Sequence, residues 1–186
     1  AGQVYLILGE KFDEKYYQQA EENLLKAEKI SSQKQEVMFL LGRLYLLKQD
    51  FEKALFFQKK AVEAAPEINT SHWFLGLTYI AQNESAKGLE EIEKAMKLGY
   101  NLTKEQKLYV LDLYALEKNY PKLIEEYKKL IEEEPGNLNW YIKLAVVYAE
   151  SGDKKLALEI TQYAIGLFPP LKAEAEKFIK QYKLDK

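Results

Sequence analysis

The side chains that most often perform chemistry are scarce in this chain. Its 186 residues include a single histidine, His72, and no cysteine. The lack of thiols rules out disulfides, thiolate metal sites and cysteine nucleophiles. A metal site on a helix needs a second ligand about one turn away, and no Asp or Glu lies four residues from His72. We therefore predict no metal site and no cofactor, and we interpret His72 as a packed side chain.

Catalytic motifs are missing as well. The sequence contains no glycine-rich phosphate loop, no nucleophile elbow and no recognisable pair of catalytic carboxylates. The acidic run of Glu132, Glu133 and Glu134 ends a helical pattern, and we interpret it as a solvated surface. These observations predict that the chain is not an enzyme.

Composition narrows the class of partner. Apolar residues make up 47% of the chain, enough for a continuous core, and glycine and proline are few. The net charge of −2 gives no reason to expect nucleic acid as a partner. No apolar run reaches the roughly 20 residues of a membrane helix, so we do not expect this segment to insert into a membrane.

The cellular compartment stays open. The chain begins AGQVYL, with neither an initiator Met nor a signal segment, and we interpret it as a piece of a larger protein. A cytoplasmic location is favoured, and a soluble domain of a membrane protein is the alternative.

A period of about 34 residues organises the sequence. The template segment, 35–66, carries Gly42, Tyr45, Ala54, Ala61 and Pro66. The equivalent positions in the other periods hold mostly small, aromatic, leucine or proline residues. They are Leu8, Ala20 and Ala27; Gly76, Tyr79, Gly88 and Ala95; Tyr114, Leu123, Leu130 and Pro135; Ala145, Tyr148, Ala157, Ala164 and Pro169.

This pattern resembles the tetratricopeptide repeat (TPR) family. The resemblance implies an all-α fold, a right-handed α–α superhelix of five helix pairs followed by a C-terminal capping helix. It places the repeats at 1–34, 35–68, 69–103, 104–137 and 138–170 and the cap at 171–184, in a single domain over 1–186. The first repeat departs from the pattern at Lys11 and Ser32, and the third departs from it at Gly88 and Tyr100.

Local signals predict where helices begin and end. Each repeat is divided by a polar turn, at Gln49-Asp50, Asn83-Glu84, Lys118-Asn119 and Gly152-Asp153. The spacing of Thr103 and Gln106 is that of a capping box, and Asn69 and Asn137 are predicted N-caps. Gly99 is predicted to stop a helix.

The resemblance also implies which residues face a ligand. In TPR domains the first helix of each repeat lines a concave groove, mainly through its second, fifth, ninth, twelfth and thirteenth positions. We read the predicted partner-binding residues from these positions. They are Tyr5, Phe39, Arg43, Leu46, Trp73, Leu77, Ile80, Leu108 and Asp112.

Two residues dominate the predicted groove, and both have an alternative interpretation. Arg43 is the only arginine in the chain, and beside aromatic rings it can bind a carboxylate or stack on a ring. Trp73 is a residue type that often dominates interface energetics. Side chains at these positions also pack against the neighbouring repeat, so the aromatic residues can equally belong to the core.

The resemblance implies a non-catalytic scaffold that binds a peptide or protein segment in its groove, without naming the partner. The alternative is an assembly, dimerisation or accessory domain of a larger protein. The apolar stretch Val4 to Leu8 favours a homo-oligomer formed through the N-terminal helix. More loosely, the later half resembles the TPR tails of bacterial membrane glycan polymerases or ligases of the O-antigen type.

Overall fold

The computed structural model describes residues 15–30 and 34–184. Within these two ranges all regular structure is helical and no strand occurs, so the predicted all-α class is confirmed. The α-helices are α1 (Lys15–Ile30), α2 (Lys34–Leu47), α3 (Phe51–Ala64), α4 (Asn69–Ala81), α5 (Ser85–Lys97), α6 (Lys104–Leu116), α7 (Tyr120–Glu133), α8 (Leu138–Ser151), α9 (Lys154–Leu167) and α10 (Lys172–Tyr182). A 3₁₀ turn, Pro169–Leu171, precedes α10.

The helices divide into two compact units. The first unit is 1–106 and the second is 107–186, so the boundary falls within α6. In the first unit α2 pairs with α3 and α4 pairs with α5; in the second, α8 pairs with α9. The single domain over 1–186 stays a prediction, as does a first helix pair that would begin within residues 1–14.

The four predicted polar turns all occur, and they share a backbone conformation. Gln49, Asn83, Lys118 and Gly152 have φ of 58°, 62°, 51° and 91°. In three of the four turns the next residue caps the following helix with its side chain. Asp50 accepts from the amide of Lys53, Asn119 from that of Lys122 and Asp153 from that of Leu156. The left-handed residue reverses the chain, and the cap starts the second helix.

Of the other cap predictions, two are confirmed and one is wrong. The capping box is confirmed, because the Gln106 amide donates to Thr103 Oγ1 at 3.3 Å and the Thr103 amide donates to Gln106 Oε1 at 2.9 Å. Asn137 is also confirmed as an N-cap. Asn69 is not: it lies inside the first turn of α4, and its Nδ2 donates to the Leu98 carbonyl at 3.2 Å. That side chain therefore ties α4 to the end of α5.

In the first unit, α2 and α3 meet at a buried side chain. Leu41, Leu44, Ala54 and Ala61 are fully buried between the helices. Gly42 faces the Gln58 side chain so closely that a Cβ at residue 42 would lie 2.7 Å from Gln58 Cδ. Gln58 is 0% exposed, and neither its Nε2 nor its Oε1 has a hydrogen-bond partner. This amide fills space without satisfying its polar groups.

The next helix pair meets through its backbone. A Cβ on Gly76 would lie 2.7 Å from the carbonyl oxygen of Gly88, and a Cβ on Gly88 would lie 2.4 Å from Ile80 Cγ1. Glycine at residue 88, where the TPR pattern has alanine, therefore lets α4 and α5 approach more closely than a methyl group allows. Beneath this contact Ile92 and Ala95 are fully buried.

The predicted capping helix is present as α10. Leu171, Ala175, Phe178 and Tyr182 are half-buried, and the Phe178 and Tyr182 rings lie 4.8 Å apart. No residue of α10 itself is buried, in contrast to α8, which buries six. Beyond the helix end Leu184 is buried, and Lys154 Nζ donates to the Lys183 carbonyl at 3.3 Å, so the cap is anchored at its C-terminal end while α10 itself stays partly exposed.

Candidate partner-binding surface

The first unit carries an aromatic and cationic patch on two successive first helices. Phe39 on α2 meets Phe74 on α4 edge-to-face, with ring centroids 5.4 Å apart. The Arg43 guanidinium lies 5.3 Å from the centroid of the Phe74 ring. All three side chains are half-buried. We call Phe39, Arg43 and Phe74 the aromatic patch; Arg43 takes the ring-stacking role that its neighbours allow.

Phe74 is the member of this patch that the sequence prediction missed. The predicted ladder placed Trp73 at this level of α4, one residue earlier. The sequence did contain a signal for this contact. Phe39 and Phe74 are 35 residues apart, only one residue more than the repeat length, so both lie on the first helices of neighbouring repeats. The strict 34-residue register selected the buried neighbour instead.

Trp73 lies in the core and not on the patch. Its side chain is 4% exposed and stacks on Tyr100, with centroids 4.9 Å apart and planes 9° from parallel. The Tyr100 hydroxyl in turn accepts from Gln106 Nε2 at 3.3 Å. Tyr100 thus occupies the place where the TPR pattern has proline, and it forms one wall of the Trp73 site. The packing interpretation of Trp73 is the one that this burial supports.

The remaining predicted residues of the first unit sit between core and surface. Leu46, Leu77 and Ile80 are half-buried. Leu46 packs against the α2–α3 core, and Ile80 packs against Gly88 on α5. Tyr5, and the stretch from Val4 to Leu8, lie outside the described residues.

In the second unit the predicted residues are more exposed. Leu108 on α6 is 39% exposed, and Asp112, one helical turn further, is also exposed. Ile142 on α8 is 45% exposed and Leu116 at the end of α6 is 66% exposed. Burial, and secondarily the Asp112 carboxylate, raises the pKa of the Tyr127 hydroxyl. The second unit therefore presents aliphatic side chains with a nearby acidic group.

The single histidine joins a buried polar network. His72 Nδ1 lies 2.6 Å from Glu91 Oε2, and His72 Nε2 lies 2.9 Å from the Pro66 carbonyl oxygen. Lys94 Nζ donates to the other Glu91 oxygen at 2.9 Å. The packing interpretation of His72 is confirmed, but its partner comes from the next helix, where sequence spacing along α4 could not show it. Both ring nitrogens therefore have a polar partner within hydrogen-bond distance.

The acidic run at the end of α7 is only partly solvated. Glu132 and Glu133 are exposed, as predicted. Glu134 is not free surface: its Oε2 accepts from Asn137 Nδ2 at 2.8 Å and from Trp140 Nε1 at 3.0 Å. Glu134 therefore fixes the turn into α8.

The described residues offer no metal centre, because they contain no group of three or more His, Cys, Asp or Glu side chains close enough to share an ion. No helix in the described ranges has the length and apolar character needed to cross a membrane.

Comparison with known families identifies one of the repeats. Residues 35–68 match the family model described as tetratricopeptide repeat; they are the predicted second repeat and contain the template segment 35–66. The helix pairs, their left-handed turns and the small residues between them follow the same arrangement along the described chain.

The chain has the fold of a TPR solenoid.

Similar solved structures support this fold. YrrB, a TPR protein with an unusual peptide-binding site, matches with a TM-score of 0.63 at 20% identity, over 95% of this chain and 88% of that one. MamA matches with a TM-score of 0.61 at 21% identity, over 93% and 94%. Naa15/Naa10 bound to HypK-THB matches with a TM-score of 0.70 at 14% identity, over 87% of this chain but only 24% of that one. At these identities the likeness establishes the fold.

No curated protein sequence matches the chain. The looser resemblance to O-antigen polymerase or ligase tails gains no support from the family model or from these structures.

Proposed function

We propose that the chain is a non-catalytic interaction scaffold that binds a peptide or protein segment on the faces of its first helices. The observation that carries this proposal is the aromatic patch, in which α2 and α4 place Phe39, Arg43 and Phe74 together at the surface. Aromatic and arginine side chains contribute disproportionately to interface energy, because they bury a large area with few rotatable bonds.

The chemistry of the patch favours a segment with an exposed ring or carboxylate. The two phenylalanine rings offer an edge and a face, and the guanidinium brings a permanent positive charge beside them. Arg43 already lies over a ring, so its plane is oriented before a partner arrives. Such preorganisation lowers the entropic cost of binding.

The fold supports the same proposal. YrrB, a protein of the same fold, has a peptide-binding site. The described residues contain none of the clustered metal ligands of a metalloenzyme.

The test uses peptides selected from a random displayed library on the wild-type chain. The double variant Phe39→Leu with Phe74→Leu removes both rings and keeps apolar bulk, so the fold should persist. We expect the selected peptides to bind it about tenfold more weakly, as measured by fluorescence anisotropy. The matched control is Phe56→Leu, which removes a 51% exposed ring from α3, a second helix.

Two results would overturn the proposal. Peptides that bind the double variant as tightly as the wild type, while circular dichroism shows intact helices, would remove the patch from the binding surface. An equal loss of affinity in Phe56→Leu would show that the selected peptides bind aromatic side chains without regard to their position.

A second candidate is a role as an assembly part of a larger protein. The observation in its favour is the match to Naa15/Naa10 bound to HypK-THB, where the chain corresponds to a minor share of a large subunit in a complex. Light scattering across micromolar to millimolar concentration tests self-assembly. A reversible dimer is expected if the chain assembles with itself, and a strict monomer contradicts that version.

A further inference from the structure

The second unit contains a cavity between its last helix pair and the capping helix. Its volume is about 110 Å³. One wall is formed by Ile142 and Ala145 of α8 and another by Ala164 and Ile165 of α9. The third wall is α10, through Ala175 and Phe178 among others. No residue of α10 itself is buried, although Leu184 just beyond it is, and the side chains of α10 line the space without filling it.

The polar groups that line this cavity are few, and two are already engaged. The Thr161 hydroxyl donates to the Ala157 carbonyl at 2.7 Å, and the Tyr141 hydroxyl donates to the Pro135 carbonyl at 3.0 Å. Both hydroxyl groups therefore satisfy the local backbone, and their side chains offer mainly carbon to the cavity. The interior is effectively apolar.

Glu174 is the exception among the lining residues. It shares the cavity-facing stripe of α10 with Ala175 and Phe178, one turn after Leu171 of the 3₁₀ turn, and helical periodicity predicts an apolar side chain at its position. Its side chain is exposed, so the carboxylate lies at the mouth and not in the interior. No ion pair to Glu174 occurs within residues 15–30 and 34–184. The site thus combines an apolar interior with one uncompensated negative charge at its entrance.

We infer that this cavity takes an aliphatic side chain of a partner peptide, with a lysine or arginine next to that side chain pairing with Glu174. This inference rests on the proposed scaffold function and names a second contact point for it. The interior volume suits a leucine-sized group, whose transfer from water supplies the affinity. The carboxylate then selects among apolar residues by the charge of their neighbour, which is how polar groups give specificity to an apolar pocket.

The experiment uses short probes and the full chain labelled with ¹³C at the isoleucine methyl groups. The probes are N-acetyl-Leu-Lys-amide, N-acetyl-Leu-Glu-amide and N-acetyl-Gly-Lys-amide. We expect the Leu-Lys probe to shift the Ile142 and Ile165 methyl signals in a saturable way and to leave that of Ile92, buried in the first unit, unmoved. The Leu-Glu probe should bind several-fold more weakly, and the Gly-Lys probe should give no saturable shift.

Variants separate the two parts of the site. Glu174→Gln should weaken the Leu-Lys probe about two- to fivefold, the range of an exposed ion pair, and should leave the Leu-Glu probe no weaker. Glu176→Gln, on the same helix but outside the cavity lining, is the matched control and should change neither. Ala175→Leu places an aliphatic group in the cavity itself and should reduce binding at least tenfold, with helical content unchanged.

Several outcomes would overturn the inference. They are the absence of saturable shifts with the Leu-Lys probe, equal binding of the Gly-Lys probe, and equal losses in Glu174→Gln and Glu176→Gln. The result is distinguishable from that for the aromatic patch. Phe39→Leu with Phe74→Leu should leave probe binding at Ile142 and Ile165 intact, because those rings do not line the cavity.

Discussion

The two helix pairs of the first unit, α2–α3 and α4–α5, have a glycine at the same repeat position, but the two glycines face different parts of their partner helices. Gly42 on α2 and Gly76 on α4 hold equivalent positions, 34 residues apart. Gly42 faces a buried glutamine side chain, with Gln58 Cδ at 2.7 Å from a notional Cβ. Gly76 faces the backbone of its partner helix, with the Gly88 carbonyl oxygen at the same distance. One glycine makes room for a side chain, and the other makes room for a helix.

The two helix pairs also differ in whether their buried polar groups have hydrogen-bond partners. The Gln58 amide of the α2–α3 pair is fully buried without a hydrogen-bond partner. The α4–α5 pair buries His72, and both ring nitrogens have partners. A repeat can therefore keep this glycine whether or not the buried polar groups of its helix pair have hydrogen-bond partners. The pair in which a glycine faces the partner backbone is also the pair with the more complete polar network.

The largest expected effect concerns that network. Glu91→Ala removes the partner of His72 Nδ1 and leaves that buried nitrogen unsatisfied, so we expect the free energy of unfolding to fall by about 3 kcal/mol. Urea denaturation followed by circular dichroism measures it. The control, Glu90→Ala, removes the other Lys94 partner from an exposed position and should change stability little. Equal effects of the two variants would show that the buried contact stabilises no more than the exposed one.

The next effect separates the two glycines. Gly76→Ala directs a methyl group at a backbone oxygen, so the helices must move apart, and we expect a loss of about 2 kcal/mol. Gly42→Ala directs it at a flexible side chain that can shift, and the loss should be about 1 kcal/mol or less. Thermal unfolding of the two single variants compares them directly. A larger loss for Gly42→Ala would reverse the comparison.

A smaller effect is expected at Gln58, and its sign is opposite. Gln58→Met replaces the unpaired amide by an apolar group of similar length, so we expect stability to rise by about 1 kcal/mol. Gln162→Met, an exposed change on α9, serves as the control and should have little effect. A loss of stability in Gln58→Met would mean that the buried amide is held by contacts that its geometry does not reveal.

The smallest effect depends on pH and concerns the outer contact of α2. Glu21 on α1 accepts from the Tyr45 hydroxyl at 2.7 Å and pairs with Lys48. Burial raises the pKa of the Glu21 carboxyl, but the hydrogen bonds from Lys48 and Tyr45 outweigh it, and the net shift is downward. The contribution is therefore present above the unfolded-state pKa and is lost as pH falls through the lower folded-state pKa.

The pH effect is measured as a difference between two proteins. The wild type should exceed Glu21→Gln in unfolding free energy by roughly 0.5 kcal/mol at neutral pH, and this difference should vanish in acid. A difference that grows as pH falls would contradict the direction of the pKa shift. This contact sets α2–α3 apart from α4–α5, because its charged partner lies on a preceding helix and not within the pair.

The fold was predictable because its signals are local and repeated. Helix periodicity, the polar turns and the capping box at Thr103 and Gln106 all act within a few residues, and each occurs where the sequence placed it. The site was less predictable because it depends on contacts between helices. The choice between Trp73 and Phe74 is decided by Tyr100, which fills the place beside Trp73. The partner of His72 is 19 residues away on α5, beyond any spacing rule for one helix.

The partial exposure of α10 also predicts how readily this helix opens locally. No residue of α10 is buried, and its buried anchor, Leu184, lies beyond the helix end, so α10 should detach from α8 and α9 at a lower free energy than global unfolding requires. Its amide hydrogens would then exchange with solvent sooner than those of α8. A side chain seated in the cavity would touch both α10 and the last helix pair, and would slow that exchange. The exchange rate of the α10 amide hydrogens would in this way report whether a partner is bound, because it depends on how long α10 stays docked on α8 and α9.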